Sequence, residues 1–335
     1  MVPTRPLNAS CTKYAQFDQD IGVPEIAPGC TRLRCRVRCI DTGGSGPAVL
    51  YLHGHDSRIE EGEDLFDQLV PLGVRVLALD LPPFGYSEKI AAPGGTYTIA
   101  LLCSVVRAFM EARNIKGAVV VGGSLGGNLA LRLAHSHPTW VSRVVVWAPA
   151  CAWEPQPWLQ SALESWLPAL RARGWDGFVD SVNRIKDKWY SSGHFPEQDP
   201  NTDVEWTAQD RQQTIDEIIP ERHEVWSPEY HRAFWDIATE QLGDSLYPLA
   251  SAVLRPALLV AAQLDNGAPE FLYDGTRKLD AYMRTAFPTR PRDWLHEVRT
   301  GHSVHKEAPR KLAKLIRQFL QQSAATDTAL QPMAG

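Results

Sequence analysis

The sequence has few cysteines, and their spacing indicates neither a metal site nor a disulfide framework. None of the six belongs to a CxxC pair or has a histidine at metal-ligand spacing. We therefore expect reduced thiols and no bound metal. The cysteines lie at positions 11, 30, 35, 39, 103 and 151.

Long apolar runs and a strong excess of one charge are also missing. No run approaches the roughly 20 apolar residues of a membrane helix, and the N-terminus lacks the apolar core of a secretory signal. The 335 residues include 34 basic and 39 acidic side chains, a net charge of -5 that favours neither nucleic acid nor anionic lipid as a partner. We expect a cytoplasmic protein acting on a small molecule, with no nucleic-acid or membrane partner, and the pattern does not indicate its oligomeric state.

From residue 31 onward, apolar strands alternate with helical patterns, which is typical of a mostly parallel sheet covered by helices on both faces. This predicts an α/β fold. Between residues 151 and 250 the alternation stops, no strand-like run appears, and eight of the eleven tryptophans occur there, which indicates a helical cap inserted into the sheet. The predicted parts are an irregular N-terminal segment (1–30), the α/β core (31–150 and 251–322), the helical cap (151–250) and a flexible tail (323–335).

Alternation is strictest in the stretch 31–39, TRLRCRVRC. Apolar or cysteine side chains occupy one face of the predicted strand, and four arginines occupy the other. The four arginines are interpreted as a solvated face that discourages edge-to-edge pairing, although an anion-binding patch is the alternative. They are Arg32, Arg34, Arg36 and Arg38.

The most informative motif is the stretch 119–131, VVVGGSLGGNLAL, in which Ser124 stands between two pairs of glycines. A strand is predicted directly before this serine and a helix directly after it, as a nucleophile elbow requires. Small neighbours are needed because that turn is too sharp for side chains. Ser124 is therefore a candidate nucleophile; the alternative is a turn or helix-capping serine.

A serine nucleophile needs a histidine base that a carboxylate orients. Asp265 follows the predicted strand 257–262, at the carboxyl end where such sheets place their sites. His302 follows a loop glycine just before the final helix, and His305 is the rival base. The alternatives are a helix-capping or turn aspartate and a packed loop histidine. The chain order Ser124, Asp265, His302 is the order that this architecture uses.

Four segments together resemble the α/β-hydrolase family, in its cap-bearing esterase and epoxide-hydrolase-like branch. They are Leu52–His55, Asp80–Ser87, Gly122–Gly126 and Gly301–His305. The resemblance implies an eight-stranded, mostly parallel sheet, and a triad of Ser124, Asp265 and His302 that needs no cofactor. It also implies an oxyanion hole formed by the backbone N–H groups of Leu125 and His55.

The expected activity is hydrolysis of a carboxylic ester or lactone of a small, apolar molecule through an acyl-enzyme. A C–C bond hydrolase, an acyltransferase and a haloperoxidase-like or lyase enzyme remain alternatives, since each would reuse the same pocket, and a ligand receptor on the same fold is the non-enzymatic alternative. Epoxide hydrolase or dehalogenase chemistry is disfavoured because position 124 is serine rather than aspartate. Trp153 and Trp158, nearest the start of the cap, are candidate substrate-binding residues, although most tryptophans there are expected to pack helices together.

Overall fold

A computed structural model describes residues 13–23, 33–154, 161–191, 201–265, 272–286 and 294–322. These residues form one eight-stranded sheet in the order β1-β2-β4-β3-β5-β6-β7-β8. Antiparallel pairing joins β1 to β2 and β2 to β4, and every other neighbouring pair is parallel. The strands are β1 (Gln16–Val23), β2 (Leu33–Asp41), β3 (Ala48–Leu52), β4 (Arg75–Leu79), β5 (Ala118–Gly123), β6 (Val141–Trp147), β7 (Ala257–Ala262) and β8 (Leu295–Val298).

Helices cover both faces of this sheet. Alternate side chains of the central strands point to opposite sides, so Leu50 and Val120 join one apolar cluster while Val49 and Val121 join the other. The helices are α1 (Glu63–Leu69), α2 (Ile99–Ala112), α3 (Leu125–Ser136), α4 (Leu167–Ala172), α5 (Trp175–Ser191), α6 (Ala208–Val225), α7 (Pro228–Gly243), α8 (Tyr247–Ala250), α9 (Asp274–Ala286), α10 (Val304–Glu307) and α11 (Pro309–Gln322). The predicted α/β-hydrolase architecture is confirmed.

Between β6 and β7 the described residues form helices α4 to α8, joined by turns and irregular stretches, and contain no strand. We call residues 151–250 the insertion. Ser227 begins α7 by accepting a hydrogen bond from the Tyr230 N–H, and Thr207 begins α6 in the same way through Asp210. No described helix is both long enough and apolar enough to cross a membrane. The expected flexible tail lies outside the described residues.

The N-terminal segment differs from the irregular structure that the sequence predicts for residues 1–30. Gln16–Val23 forms β1, which pairs along its whole length with β2. Its side chains Ile21 and Val23 are buried in the core. The polar Gln19 interrupts the apolar alternation, so the sequence pattern of this strand is weak. The strand forms because its backbone pairs with β2.

The arginines of β2 are not all solvated, and β2 is not an edge strand. Arg34 and Arg36 are exposed, as predicted, whereas the Arg38 side chain is fully buried. Its guanidinium contacts Asp80 at 2.7 Å and Glu60 at 2.6 Å. A buried arginine is stable when it is paired in this way, and the partners come from segments remote in sequence. Arg32 lies outside the described residues.

Candidate active site

Ser124 lies at a sharp turn between β5 and α3. Its backbone has φ 52° and ψ -122°, a conformation that costs a non-glycine residue about 1–3 kcal/mol. Two backbone hydrogen bonds hold the turn: the Ser124 N–H donates to the Trp147 carbonyl at 3.1 Å, and the Ala150 N–H donates to the Ser124 carbonyl at 2.9 Å. The local geometry is therefore a strained strand-to-helix turn, as the predicted nucleophile elbow requires.

The glycines around Ser124 are required by close packing. A Cβ on Gly126 would lie 2.0 Å from the Leu52 carbonyl oxygen, and one on Gly123 would lie 1.9 Å from the Trp147 indole nitrogen. Neither neighbour leaves room for a methyl group, because real Cβ contacts of this kind exceed about 3 Å. The glycine pairs in the sequence thus allow β5, α3 and the end of β3 to meet at the serine.

Asp265 and His302 are brought together by the neighbouring strands β7 and β8. The Asp265 carboxylate is buried, with 2% of its side chain exposed, and its Oδ2 lies 2.8 Å from Nδ1 of His302. Burial alone would lower the pKa of His302, but the charge of Asp265 and this hydrogen bond, with Glu307, raise that pKa above its ordinary value. With Nδ1–H donating to Asp265, Nε2 is left as the proton acceptor.

His305, the rival base, lies against aromatic rings. Its imidazole centroid is 5.3 Å from the ring of Trp147 and 6.1 Å from that of Tyr51. Burial lowers its pKa to about 3. His302 therefore has the carboxylate partner, as the sequence predicts for the base.

Glu307 is a site residue that sequence reasoning did not identify. It is buried, and its carboxylate accepts a hydrogen bond from the Gly301 N–H at 2.7 Å, which fixes the loop carrying His302. A glutamate five residues after a candidate histidine has no distinctive sequence pattern.

The loop after β3 brings the backbone that leads to His55, one of the two predicted oxyanion donors, close to Ser124. A Cβ placed on Gly54 would lie 3.7 Å from the Ser124 Cβ, so the backbone leading to His55 passes beside the nucleophile. His53 anchors this loop: its Nε2 accepts the Leu81 N–H at 2.8 Å and its Nδ1 donates to the Gly54 carbonyl at 2.7 Å. On the other side, Leu125 is the first residue of α3, where amide N–H groups lack acceptors within the helix.

Ser124, Asp265 and His302 all line one cavity of about 410 Å³ at the carboxyl edge of the sheet. Helices α5, α6 and α7 of the insertion form part of its wall, through Val182, Ile218 and Phe234 among others. The cavity is large enough for a small organic molecule.

Of the two tryptophans predicted to bind substrate, Trp153 lies within the described residues. Trp153 is buried in the apolar core, 6% exposed, and does not line the cavity, because the chain leaving β6 turns this side chain into the packed interior. Trp158 lies outside the described residues. Trp206, for which the sequence predicts no such role, lines the cavity instead.

Comparison with known proteins identifies the family of the chain. The alpha/beta hydrolase fold family matches residues 43–309. The chain belongs to the alpha/beta hydrolase family. The predicted resemblance to that family is therefore confirmed.

Relatives and solved structures similar to the chain carry diverse names. A dihydrolipoyllysine-residue acetyltransferase component of the acetoin cleaving system from Cupriavidus necator is 37% identical over 114 residues, 34% of this chain and 29% of that protein. Monoacylglycerol lipase abhd6-B from Xenopus laevis is 24% identical over 85% of this chain and 78% of that protein. A thermophilic esterase from Thermogutta terrifontis superposes with a TM-score of 0.66 at 18% identity, covering 91% of this chain and 98% of the esterase.

Proposed function

We propose that the protein is a serine hydrolase that cleaves a carboxylic ester or lactone of a small molecule. One observation carries the proposal: the 2.8 Å contact between Asp265 and His302 orients an imidazole at the same cavity that contains Ser124 on its strained turn. A serine hydroxyl becomes a useful nucleophile when such a base removes its proton.

In the proposed reaction, Ser124 Oγ attacks the ester carbonyl carbon while Nε2 of His302 accepts the hydroxyl proton. The backbone N–H groups of Leu125 and His55 stabilise the oxyanion, and one donor of this kind contributes about 2.7–4 kcal/mol. His302 then protonates the leaving alcohol. Water, activated by the same imidazole, cleaves the acyl-enzyme to give the free acid and restore Ser124. No step requires a cofactor.

The cavity supports an apolar substrate moiety. Val182, Ile218, Phe234 and Leu272 provide an aliphatic and aromatic wall, and Trp206 adds an indole ring. An acyl or alkoxy group of several carbons would be removed from water there, with a gain of about 0.8 kcal/mol per buried methylene.

Hydrolysis of p-nitrophenyl acetate and butyrate tests the proposal. We expect wild type to turn over at least one of them and Ser124→Ala to lose turnover while keeping its fold. Ser104→Ala is the matched control, since Ser104 lies on α2 and donates only to the Ala100 carbonyl in its own helix. Turnover retained in Ser124→Ala would refute the assignment.

The alternative reactions are separated by adding a diketone and an acceptor alcohol to the same assay. Cleavage of the diketone in preference to every ester would replace the proposal with C–C bond hydrolysis, and preferential acyl transfer to the alcohol would replace it with transferase activity. If no substrate is turned over and a serine-directed phosphonate does not label Ser124, the result would favour a ligand receptor.

A further inference from the structure

The wall of the catalytic cavity contains charged side chains as well as apolar ones. Asp56, in the loop after β3, and Arg222, on α6 of the insertion, both line it. Each is more than nine-tenths buried, with 8% and 5% of its surface exposed. The esterase mechanism proposed above uses neither side chain.

The contacts between these two side chains are loose. Nε of Arg222 lies 3.4 Å from Oδ1 of Asp56, and both atoms are buried without a hydrogen bond of normal geometry among the described residues. The other carboxylates near Arg222 are Glu221 at 3.4 Å and Glu61 at 3.8 Å. Charge-assisted hydrogen bonds between a guanidinium and a carboxylate are usually about 2.7–2.9 Å long.

Tight pairs occur immediately next to this loose one. Arg58 lies 2.8 Å from Glu221, and Lys306 lies 2.9 Å from Glu61. Glu221 and Glu61 thus each have a close cationic partner, whereas Asp56 and Arg222 meet only at 3.4 Å. On the same cavity wall, Nε2 of His55 and Nδ1 of His305 are also buried without a hydrogen bond to any described residue, but Asp56 and Arg222 are the charged pair among these groups. Buried polar atoms are rarely left in that condition unless a ligand or water completes them.

The charges around the pair indicate what would complete it. Lys306 and Arg58 already balance Glu61 and Glu221, so Asp56 and Arg222 are the charges that an incoming group would meet, and an anion would meet the Asp56 carboxylate. An incoming cation would meet Arg222 itself. An uncharged hydroxyl avoids both conflicts, because its hydrogen can be donated to Asp56 while its oxygen accepts a hydrogen bond from Arg222.

We propose that Asp56 and Arg222 form a subsite for a hydroxyl group on the substrate, so that the preferred substrates are hydroxylated esters or lactones rather than plain alkyl ones. The inference rests on the proposed function. In this subsite Asp56 of the core and Arg222 of the insertion bind the same substrate hydroxyl. Helix α6, which carries Arg222, would then contribute to substrate specificity.

The test is a matched series of substrates that differ only at the chain end. On the acyl side these are the p-nitrophenyl esters of hexanoate, 6-hydroxyhexanoate, monoadipate and 6-(trimethylammonio)hexanoate; on the alcohol side they are hexyl and 6-hydroxyhexyl butyrate. We expect wild type to prefer the hydroxyl over the alkyl form by about tenfold or more in kcat/KM on one side of the ester, as hydrogen bonds to charged groups allow. The carboxylate and trimethylammonium forms should be the slowest.

The double variant Asp56→Asn/Arg222→Gln, which is neutral at both positions, should reduce the hydroxyl-to-alkyl ratio to about one. If the double variant folds poorly, Asp56→Asn alone, which keeps the side-chain shape, replaces it in the measurement of the hydroxyl-to-alkyl ratio. Arg58→Gln is the matched control, because the Arg58 ion pair with Glu221 also joins the core to α6 but Arg58 does not line the cavity. It should keep the wild-type ratio.

Equal rates for hydroxyl and alkyl substrates on both sides of the ester would overturn the subsite, as would a preference for either charged form. A hydroxyl preference that survives the double variant, or that Arg58→Gln also removes, would do the same. These outcomes leave the proposed function intact provided that the alkyl esters are cleaved and a phosphonate labels Ser124. Failure to cleave any ester, with no labelling, would remove the proposed function and the subsite together.

Discussion

Replacing Arg38 with methionine removes the positive charge from a buried ion pair next to the segment that follows β3. The Arg38 and Asp80 side chains are both fully buried, 2.7 Å apart at their closest atoms, and Arg38 also contacts Glu60 at 2.6 Å. Asp80 in turn accepts the backbone N–H groups of Ile59 at 2.8 Å and Tyr86 at 2.7 Å. The variant would leave the Asp80 carboxylate, which holds the backbone at Ile59 and Tyr86, buried without its guanidinium partner.

Removing one partner of a buried pair typically costs about 3–5 kcal/mol, because an uncompensated charge remains in the interior. We expect a loss of that size in the free energy of unfolding. Each 1.4 kcal/mol is a factor of about ten, so the folded-to-unfolded ratio should fall by roughly 10² to 10⁴. Burial would raise the pKa of Asp80, but Arg38 lowers it below its ordinary value. The stabilisation is therefore present at neutral pH and decreases as pH falls through the acidic range.

Urea unfolding followed by tryptophan fluorescence measures the effect. Arg34→Met is the control, since Arg34 lies on the same strand and is exposed; a surface change of this kind should stay within about 0.5 kcal/mol. Equal stability losses in the two variants would show that the Arg38 pair has no special role, and a neutral Arg38→Met would contradict the argument outright.

Three further predictions concern the site. Asp265→Asn should lower kcat by about 10³–10⁴ with little change in KM, since the imidazole loses its orienting acceptor, and an unchanged kcat would exclude the pair from catalysis. His302 must be neutral to accept a proton, and Asp265 raises its pKa above 6.5, so wild-type kcat/KM should fall as the pH decreases through that pKa. Asp265→Asn should move this acidic limb of the pH profile to lower pH. A limb that stays in place would contradict the coupling between the two side chains. Gly126→Ala places a methyl group 2.0 Å from the Leu52 carbonyl and should destabilise the fold by about 1–3 kcal/mol, measurable as a lower melting temperature, whereas an unchanged melting temperature would show that the elbow tolerates expansion.

The sequence predicts the parts of the site that depend on local structure. The strand, the glycine pairs and the helix that set Ser124 on its turn are contiguous, so their pattern is complete within about a dozen residues. Asp265 and His302 each follow a recognisable strand, and the parallel sheet brings strand ends to one edge. Their convergence follows from topology alone.

What the sequence does not predict depends on partners that are distant along the chain. The alternation of β2 predicts an exposed Arg38, but in the fold its guanidinium is buried against Asp80 and Glu60. Trp153 and Trp206 have the same composition-based signal, yet one packs into the core and the other lines the cavity, because the path of the insertion decides which way each side chain points. Gln16–Val23 is a strand because β2 is available to pair with it.

The most direct test of the account is the mass of the protein after reaction with a serine-directed phosphonate, followed by peptide mapping. The account predicts one phosphonate per chain, attached to Ser124, with no adduct in Ser124→Ala and markedly slower labelling in His302→Gln. An ester-cleaving preparation that forms no adduct, or that carries the adduct on another serine, would contradict it.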